Sequence, residues 1–375
     1  MLLHHVPPAR SMAGHRAARL LGRLPDLGIE PVVVPRPSPA SYPPGDRRGS
    51  PRVKSLKRLV RSFMVPDEMF GRRRAWIRRG LAAAGAGIDA IYSSSTPYSI
   101  HLAARQLAAR LDRPWILELR DQWSDNPILP HRRNPLTRGL MTRMEAECLR
   151  AATRVVVTSE AHRRRLIDRA VAEPARVGVV TNMFEPYDPP AARRRGPGPL
   201  RILHAGDFYA GRTLAELGEA VDAFSGGAVL EAAGSTYDRP WVEVLGGSGP
   251  RRRIHGGLAP ERLRDLLLEV HAAVVAPYHP GDDVHIPGKL YEAIGAGLPV
   301  LDLTPQPEIP GLCEGTVPCF KADPRDRGAL LAALEQLAAW WRDHPEGPKL
   351  PASDHPLSDA SAARRLAAIF EDACR

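Results

Sequence analysis

Cysteine is scarce in this chain, and its few thiols show no spacing typical of a metal centre or a disulfide framework. Cys148, Cys313, Cys319 and Cys374 form no CxxC pair, which favours buried or idle thiols. Long hydrophobic runs are also missing: no stretch of about 18 apolar residues occurs, so no membrane-spanning helix is predicted. The opening MLLHHVPPARSMAGHRA has no secretory hydrophobic region. We therefore expect a cytoplasmic protein.

Acidic residues are rare between positions 52 and 79. This basic segment contains ten Lys and Arg side chains but only Asp67 and Glu68 as acids, in a chain of formal net charge +10. Apolar residues such as Leu59 and Trp76 are interleaved with the basic ones, so parts of the segment are amphipathic. A solvated basic face, docking on an anionic membrane surface and nucleic-acid binding are the three interpretations. No nucleic-acid-binding motif accompanies the charge, so a nucleic-acid partner is not predicted.

Short apolar strands alternate with helices along most of the chain, and this alternation predicts parallel sheets. At 375 residues the chain can form two domains with separate cores. Strands are predicted at 2–4, 31–34, 88–93, 114–119, 154–158, 177–181, 201–205, 228–233, 254–257, 272–277 and 300–303. The first strand is short for such a fold, which suggests a start codon upstream of Met1.

A segment rich in Pro, Arg and Gly divides the chain. Residues 186–199 are interpreted as a linker between an N-terminal domain, 1–185, and a C-terminal domain, 200–350. Residues 351–375 contain a further helix that we expect to pack on the N-terminal domain. The expected fold class is α/β, with two Rossmann-like parallel-sheet domains facing a cleft and ligands at the carboxyl ends of their strands.

The segment HIPGKLYEAIGAGLPVLDL, residues 285–303, is typical of a phosphate-binding helix followed by a buried strand. Pro287 suits a first helical turn, and Gly288 lets a ligand approach the backbone. Free amides at a helix N-terminus favour an anion. Lys289 and Glu292 share one helix face, and they offer a cation for a diphosphate and a carboxylate for sugar hydroxyls. The alternative is an ordinary surface helix that exposes both side chains.

This segment resembles the donor-nucleotide motif of retaining glycosyltransferases of family 4, which have the GT-B fold. Glu292 matches the second of the family's paired glutamates, whereas the first falls on Val284. Residues 4–34, 142–166 and 200–217 also resemble family segments in the family's order: the first strand with its glycine loop, the helix and strand that close the first domain, and the donor domain's first strand with its phosphate loop. The resemblance implies transfer of a sugar from a nucleoside diphosphate sugar to an acceptor hydroxyl, with retained configuration.

Several donor-site roles follow from this resemblance. Gly14 is placed beneath the donor phosphates or the acceptor, and Gly206 permits close backbone approach to phosphate. Arg212 and Lys289 provide cations for the leaving diphosphate, and two fixed cations with helix amides need no metal. We therefore expect no cofactor, and UDP or GDP as the donor nucleotide.

Other candidates for the donor side lie in loops. Gly257 and Leu258 resemble the loop whose backbone reads the base. Asp282 and Asp283 are close in sequence but form no DxD motif on a strand end, which favours a solvated loop over a metal site.

The acceptor candidates come from residues 93–127, which resemble a segment of family members in surface-polysaccharide pathways. Asp121 is the candidate for orienting or partly deprotonating the acceptor hydroxyl, with Arg120 holding that carboxylate or an anionic acceptor group. The alternative is an Arg–Asp pair that shapes a loop. The remaining acceptor-binding candidates are Thr96, Tyr98 and Trp123.

Family-4 enzymes often have a histidine near the donor sugar, and His15 and His101, which are also acceptor-binding candidates, are the possible counterparts. A structural histidine is the alternative for each.

The function predicted is that of a retaining glycosyltransferase acting in cell-surface polysaccharide, glycolipid or related glycoconjugate biosynthesis. Its acceptor is a glycan, a lipid-linked molecule or a small molecule, and the basic segment would dock on the inner face of the cell membrane. A nucleotide-sugar 2-epimerase-like GT-B enzyme and a non-catalytic nucleotide-sugar-binding protein are the alternatives.

Overall fold

The computed structural model describes residues 1–3, 12–35, 65–67, 69–127, 134–187, 198–209, 211–277 and 284–375. The chain forms two compact units. Unit one comprises Met1–Thr181 and Ala362–Arg375, and unit two comprises Asn182–Ser361. The boundary between them falls just before the linker predicted at 186–199, of which 188–197 lie outside the described residues.

Unit one contains a parallel sheet of six strands in the order β2-β1-β3-β4-β5-β6. The strands are β1 (Leu2–Leu3), β2 (Val34–Pro35), β3 (Ile91–Ser94), β4 (Trp115–Leu119), β5 (Arg154–Val157) and β6 (Val177–Val179). Its helices are α1 (Met12–Arg23), α2 (Arg73–Ala83), α3 (Ser99–Leu111), α4 (Pro135–Ala151) and α5 (Glu160–Asp168).

Unit two contains a second parallel sheet of six strands in the order β12-β11-β10-β7-β8-β9. The strands are β7 (Leu200–Ala205), β8 (Ala228–Ala233), β9 (Arg252–Gly256), β10 (Ala272–Val275), β11 (Val300–Asp302) and β12 (Cys319–Lys321). Its helices are α6 (Ala215–Ala223), α7 (Trp241–Val244), α8 (Pro260–Glu269), α9 (Gly288–Gly295), α10 (Ile309–Cys313) and α11 (Arg327–Asp343).

The last helix, α12 (Asp359–Ala373), begins in unit two and belongs to unit one from Ala362 onward. The ring of Phe370 lies 5.8 Å from that of Tyr92 in β3. Asp372 accepts a hydrogen bond of 2.5 Å from Arg154 in β5. These contacts attach the end of the chain to the sheet of unit one.

Some of the helices begin at a capping side chain. Asn134 accepts a hydrogen bond from the Leu136 amide at the start of α4, and Ser159 accepts one from His162 at the start of α5. Such caps satisfy amides that have no partner within the helix. The central strands are almost entirely buried, as expected for parallel sheets covered on both faces.

The predicted architecture of two parallel α/β sheets is confirmed, whereas some local predictions are wrong. Gly14 lies inside α1, not in a loop. That helix ends at Arg23, before a short 3-10 turn at Pro25–Leu27. Strand β12 was not predicted, because its three residues are only partly buried and lack a clear apolar pattern. No helix among the described residues is long and apolar enough to cross a bilayer.

Candidate functional site

The strand order of unit two places the ends of β7 and β10 side by side at the point where the chain changes direction in the sheet. Strands β8 and β9 extend the sheet from one side of β7, and β10, β11 and β12 extend it from the other. Ligands of doubly wound sheets bind at such a switch point, beyond the carboxyl ends of the strands. The residues that follow β7 therefore lie where a ligand of this sheet would bind.

A lysine and a histidine are in direct contact at this end of β7. Lys289, in the first turn of α9, lies with its Nζ atom 2.7 Å from Nε2 of His204 in β7. His204 is fully buried, and its ring lies 4.5 Å from that of Phe208. Sequence reasoning identified Lys289 but missed His204. The sequence signal for His204 was its position as a polar residue near the end of the mainly apolar strand β7.

Gly206 forms the wall beside this lysine. Its φ angle is +142°, and a Cβ atom at this position would lie 3.2 Å from Nζ of Lys289. The lysine side chain therefore runs directly over a backbone that carries no side chain. Gly234, directly after β8, packs even more closely, since its Cβ would meet the carbonyl oxygen of Gly206 at 2.4 Å.

Arg212 is the second cation of this cluster, and it is 8% exposed. Its Nε donates to the carbonyl of Pro277 at 3.0 Å, and its Nη1 donates to the carbonyl of Asp207 at 3.2 Å. These bonds tie the guanidinium to the loops after both β7 and β10. Arg212, Lys289 and Gly206, which the sequence analysis grouped as phosphate contacts, are thus brought together.

The electrostatics of the cluster favour an anionic ligand. Burial, and then the charge of Arg212, hold the pKa of Lys289 well below its usual value, while Asp207 opposes the shift. Burial, and then the charges of Lys289 and Arg212, also lower the pKa of His204. Two cationic groups in a partly desolvated position repel each other, so an added negative charge relieves the repulsion.

Helix α9 begins as the sequence predicted, within one residue. Pro287 is the N-cap, and the helix starts at Gly288. Glu292 is half-buried one turn later. Val284, at the position of the family's first glutamate, is buried, and its carbonyl accepts a hydrogen bond of 3.2 Å from Gln306.

Two other donor-side candidates follow β9, and the two aspartates considered on this side are not among the described residues. Gly257 is exposed directly after β9, and Leu258 packs against the core of unit two. Asp282 and Asp283 lie outside the described residues. Within the described ranges, no three His, Cys, Asp or Glu side chains are grouped so that they could hold a metal ion.

In unit one, the ends of the neighbouring strands β3 and β4 bring several acceptor candidates together. Arg120 donates from Nε to the carbonyl of Ser95, next to the half-buried Thr96. Asp121 is half-buried and near enough to Arg120 to raise the pKa of that guanidinium, although burial lowers it overall. Thr158, at the end of β5, donates to the Arg120 carbonyl at 3.2 Å.

Three acceptor candidates belong to the core instead. Tyr98, His101 and Trp123 are 2%, 0% and 0% exposed, and the rings of Tyr98 and Trp123 stack at 5.1 Å. Tyr98 donates to the Gln122 carbonyl. This burial corrects the prediction that these side chains present a surface to an acceptor, because aromatic groups after a strand also pack under the loop that follows it.

His101 is bonded within the core of unit one. Its Nδ1 atom is 2.8 Å from the Ser93 hydroxyl, which accepts a hydrogen bond of 2.8 Å from Trp115 Nε1. Burial lowers the pKa of His101 to about 3, so the ring is neutral at pH 7.

A buried ion pair in unit one was missed by sequence reasoning. Arg16 in α1 and Glu118 in β4 are 4% and 1% exposed and lie 2.6 Å apart. Arg16 also donates to the carbonyls of Val180 and Thr181, and Ser94 donates to Glu118. The glutamate within the apolar run WILEL was the available signal. His15, beside Arg16, is half-buried.

Comparison with known proteins agrees with this architecture. Residues 13–183, which include most of unit one, match the family described as "Glycosyl transferase 4-like domain". No curated protein matches the chain by sequence. The sequence of residues 13–183 is therefore similar to a glycosyl transferase 4-like domain.

Three solved structures illustrate the fold that the whole chain adopts. A glycosyltransferase from Rickettsia africae ESF-5 aligns with a TM-score of 0.65 at 11% identity, over 99% of this chain and 98% of the other. Anabaena HepE in complex with UDP aligns with a TM-score of 0.54 at 15% identity, over 80% of each chain. The UDP-GlcNAc 2-epimerase of Methanocaldococcus jannaschii aligns with a TM-score of 0.55 at 11% identity, over 99% of this chain and 98% of that one.

At these identities the structures show the fold alone, and that fold is GT-B. The family match adds a sequence likeness to glycosyl transferases over residues 13–183, and the solved structures add the GT-B fold over the chain. The predicted resemblance and fold class are thereby confirmed. The roles assigned to individual residues stay predictions.

Proposed function

We propose that the chain transfers a sugar from a nucleoside diphosphate sugar to an acceptor hydroxyl, with retention of configuration at the anomeric carbon. The observation that carries this proposal is the cluster of Lys289, His204, Gly206 and Arg212 beyond β7. It combines two cations, a bare backbone and the N-terminus of α9 at the switch point of a doubly wound sheet. UDP or GDP is the proposed nucleotide, and HepE, which shares the fold, is solved with UDP.

The chemistry assigned to unit two is stabilisation of the leaving diphosphate. Cleavage of the bond between the anomeric carbon and the phosphate oxygen leaves negative charge on that oxygen. Lys289 and Arg212 are held by the fold before the charge develops, so they need no reorganisation during the reaction. Glu292 lies one turn beyond Lys289 on α9 and is assigned to the donor's sugar hydroxyls.

The acceptor is assigned to unit one, where Arg120 and Asp121 follow β4. Asp121 orients the acceptor hydroxyl, and Arg120, bonded to the Ser95 carbonyl, holds the loop and an anionic acceptor group. With retention, the leaving phosphate helps to take the acceptor proton, and the protein contributes position and charge. A glycan or lipid-linked acceptor of a cell-surface glycoconjugate pathway is proposed.

A nucleotide panel tests the donor site. We expect one of UDP, GDP, ADP and dTDP, added with EDTA, to raise the melting temperature by a few degrees, whereas the monophosphate CMP does not. At about 100 times its dissociation constant a ligand adds roughly 2.7 kcal/mol. Glu292→Ala should reduce the shift, and Glu335→Ala, at an exposed position of α11, should leave it unchanged.

The panel also separates the alternatives. Binding of a diphosphate together with acceptor-independent turnover of its sugar would support the 2-epimerase-like activity. Binding without any turnover would support a non-catalytic nucleotide-sugar-binding protein. No shift with any nucleotide would refute the donor site, and transfer with inverted configuration would refute retention.

We further propose that the basic segment docks on an anionic membrane surface. Residues 51–64 lie outside the described residues, but α2 continues the segment. A groove between α2 and α3 is lined by four arginines and, of the described residues, no acid. The lining residues are Arg73, Arg74, Ile77, Arg78, Leu81, Gln106 and Arg110. Leu81 is 37% exposed, which gives this cationic groove an apolar element.

Liposome flotation tests the docking surface. We expect recovery with vesicles of phosphatidylcholine and phosphatidylglycerol, and little with phosphatidylcholine alone. Arg74→Gln/Arg78→Gln should weaken partitioning roughly 30-fold, since each basic residue near the surface is worth about 1 kcal/mol. Arg327→Gln/Arg342→Gln, an equal charge change at exposed positions of unit two, is the control. Equal recovery from both vesicle types would contradict docking.

A further inference from the structure

The contact between Lys289 and His204 has a feature that a simple phosphate-binding lysine lacks. Nζ of Lys289 is directed at a histidine nitrogen 2.7 Å away, where a carboxylate would be the usual partner of a partly buried ammonium. A hydrogen bond between two nitrogens contains one shared hydrogen. One nitrogen donates, and the other must offer a lone pair. The pair therefore cannot hold a proton on both facing positions and keep this bond.

We propose that His204 is a positioning residue for Lys289, and that the two side chains form a proton-accepting pair that takes up a proton when the diphosphate of a nucleotide binds. This inference rests on the proposed donor site in unit two. It adds a residue that no motif identified and a measurable property, the coupling of nucleotide affinity to pH.

The geometry explains the positioning role. His204 is fixed within β7 and fully buried, and the ring of Phe208 packs on it at 4.5 Å. Its Nε2 atom thus offers an acceptor in a fixed place. The lysine side chain, which is otherwise flexible, is drawn across Gly206, where any side chain would meet Nζ or Cε. The amine is therefore held over the bare backbone that a phosphate can approach.

The charged groups around the pair explain the coupling. Among the described residues, Arg212 and Asp207 are the charged side chains that act on Lys289, and Arg212 is the one that acts on His204 besides the lysine itself. Asp207 is engaged elsewhere, because it accepts hydrogen bonds from the Ser235 amide and the Tyr237 hydroxyl. In the free protein the ammonium form of Lys289 is therefore opposed by burial and by Arg212.

A bound diphosphate reverses this balance. Its negative charge next to Nζ stabilises the ammonium, so the pKa of Lys289 is higher in the complex than in the free protein. Between these two pKa values the complex holds more protons than the free protein. Affinity for the nucleotide then falls as the pH rises through that window, by up to about tenfold per pH unit, and it is independent of pH below it.

Isothermal titration calorimetry with UDP and GDP at pH 8 tests the coupling. At this pH the terminal phosphate of the nucleotide is fully ionised, since its second pKa is about 6. Titrations in two buffers of different ionisation enthalpy, both free of phosphate and sulfate, give the number of protons exchanged. We expect an uptake of more than about 0.3 proton per bound nucleotide in the wild type. Lys289→Gln should show no uptake, and Lys349→Gln, at an exposed lysine of unit two, should match the wild type.

Two variants at position 204 test the positioning role. His204→Gln keeps a hydrogen-bond acceptor, and we expect affinity within about threefold of the wild type. His204→Ala removes the acceptor, and we expect about tenfold weaker binding and an earlier fall of affinity with rising pH. A structural role alone would lower the melting temperature without moving this pH profile.

The outcomes distinguish this inference from the function on which it rests. Nucleotide binding without proton uptake in the wild type would overturn the coupling and leave the donor site intact. A His204→Ala protein with wild-type affinity and pH profile would overturn the positioning role. If neither nucleotide bound the wild-type protein, the donor site and this inference would fall together.

Discussion

Arg16→Met is expected to destabilise the folded chain by about 3–5 kcal/mol, because it leaves the Glu118 carboxylate buried without its cation. The two side chains are 4% and 1% exposed and 2.6 Å apart. The arginine Nη1 and Nη2 atoms also donate to the Thr181 and Val180 carbonyls at 2.6 and 2.9 Å, so the substitution removes at least four hydrogen bonds. Urea unfolding followed by circular dichroism measures the loss.

Two further variants make this result specific. Arg110→Met removes an exposed arginine from α3 and should change stability by less than about 0.5 kcal/mol. The double variant Arg16→Met/Glu118→Met should recover part of the loss, since apolar replacements of both partners leave no buried charge. An Arg16→Met protein as stable as Arg110→Met would show that the pair is dispensable for the fold.

The fold could be predicted because its signal is spread along the whole chain. Strand β10 is a continuous apolar run, and β4 is one except for Glu118, as is typical of a parallel sheet buried on both faces. Gly and Pro residues separate these strands from the helices. Very short strands could not be predicted in this way. Strand β12 has three residues and is defined by its pairing with β11. The local sequence pattern does not reveal such a pairing.

The donor cluster could be predicted only in part. Lys289 and Gly288 belong to one short motif at the start of a helix, so the local sequence pattern was enough to predict them as site residues. Gly206 and Arg212 were found through the resemblance of the segment after β7. His204 was missed because its role depends on a contact with a residue 85 positions away in the sequence. Long-range contacts of this kind leave no periodicity for a single sequence to show.

The acceptor side shows the opposite error, in which residues were assigned to a surface but lie in the core. A polar or aromatic side chain after a strand faces either a ligand or the underlying packing, and the sequence does not distinguish the two. Trp123 packs on Tyr98 and His101, with ring distances of 5.1 and 5.6 Å. Glu118 was overlooked for a related reason, because it sits in a strand that otherwise reads as pure core.

The glycine directly after β8 provides the second large effect. Gly234→Ala is expected to destabilise unit two by about 3 kcal/mol or more and to reduce the thermal shift with nucleotide. Gly234 has a φ angle of +144°, which an alanine adopts only with strain. The added Cβ would also lie 2.4 Å from the oxygen and 2.6 Å from the carbon of the Gly206 carbonyl. Both contacts are with backbone, so no side chain can rotate to relieve them.

This clash would also disturb the donor cluster, because Gly206 belongs to it. Moving the Gly206 carbonyl displaces the backbone beside Nζ of Lys289, so nucleotide binding should weaken even in the fraction of protein that stays folded. Gly311→Ala, at an exposed glycine of α10 with nothing within 4 Å of the added Cβ, is the matched control and should preserve both properties. Differential scanning fluorimetry with and without the nucleotide measures both effects. A Gly234→Ala protein that melts and binds like the wild type would mean that the close packing of Gly234 on Gly206 does not shape the nucleotide site.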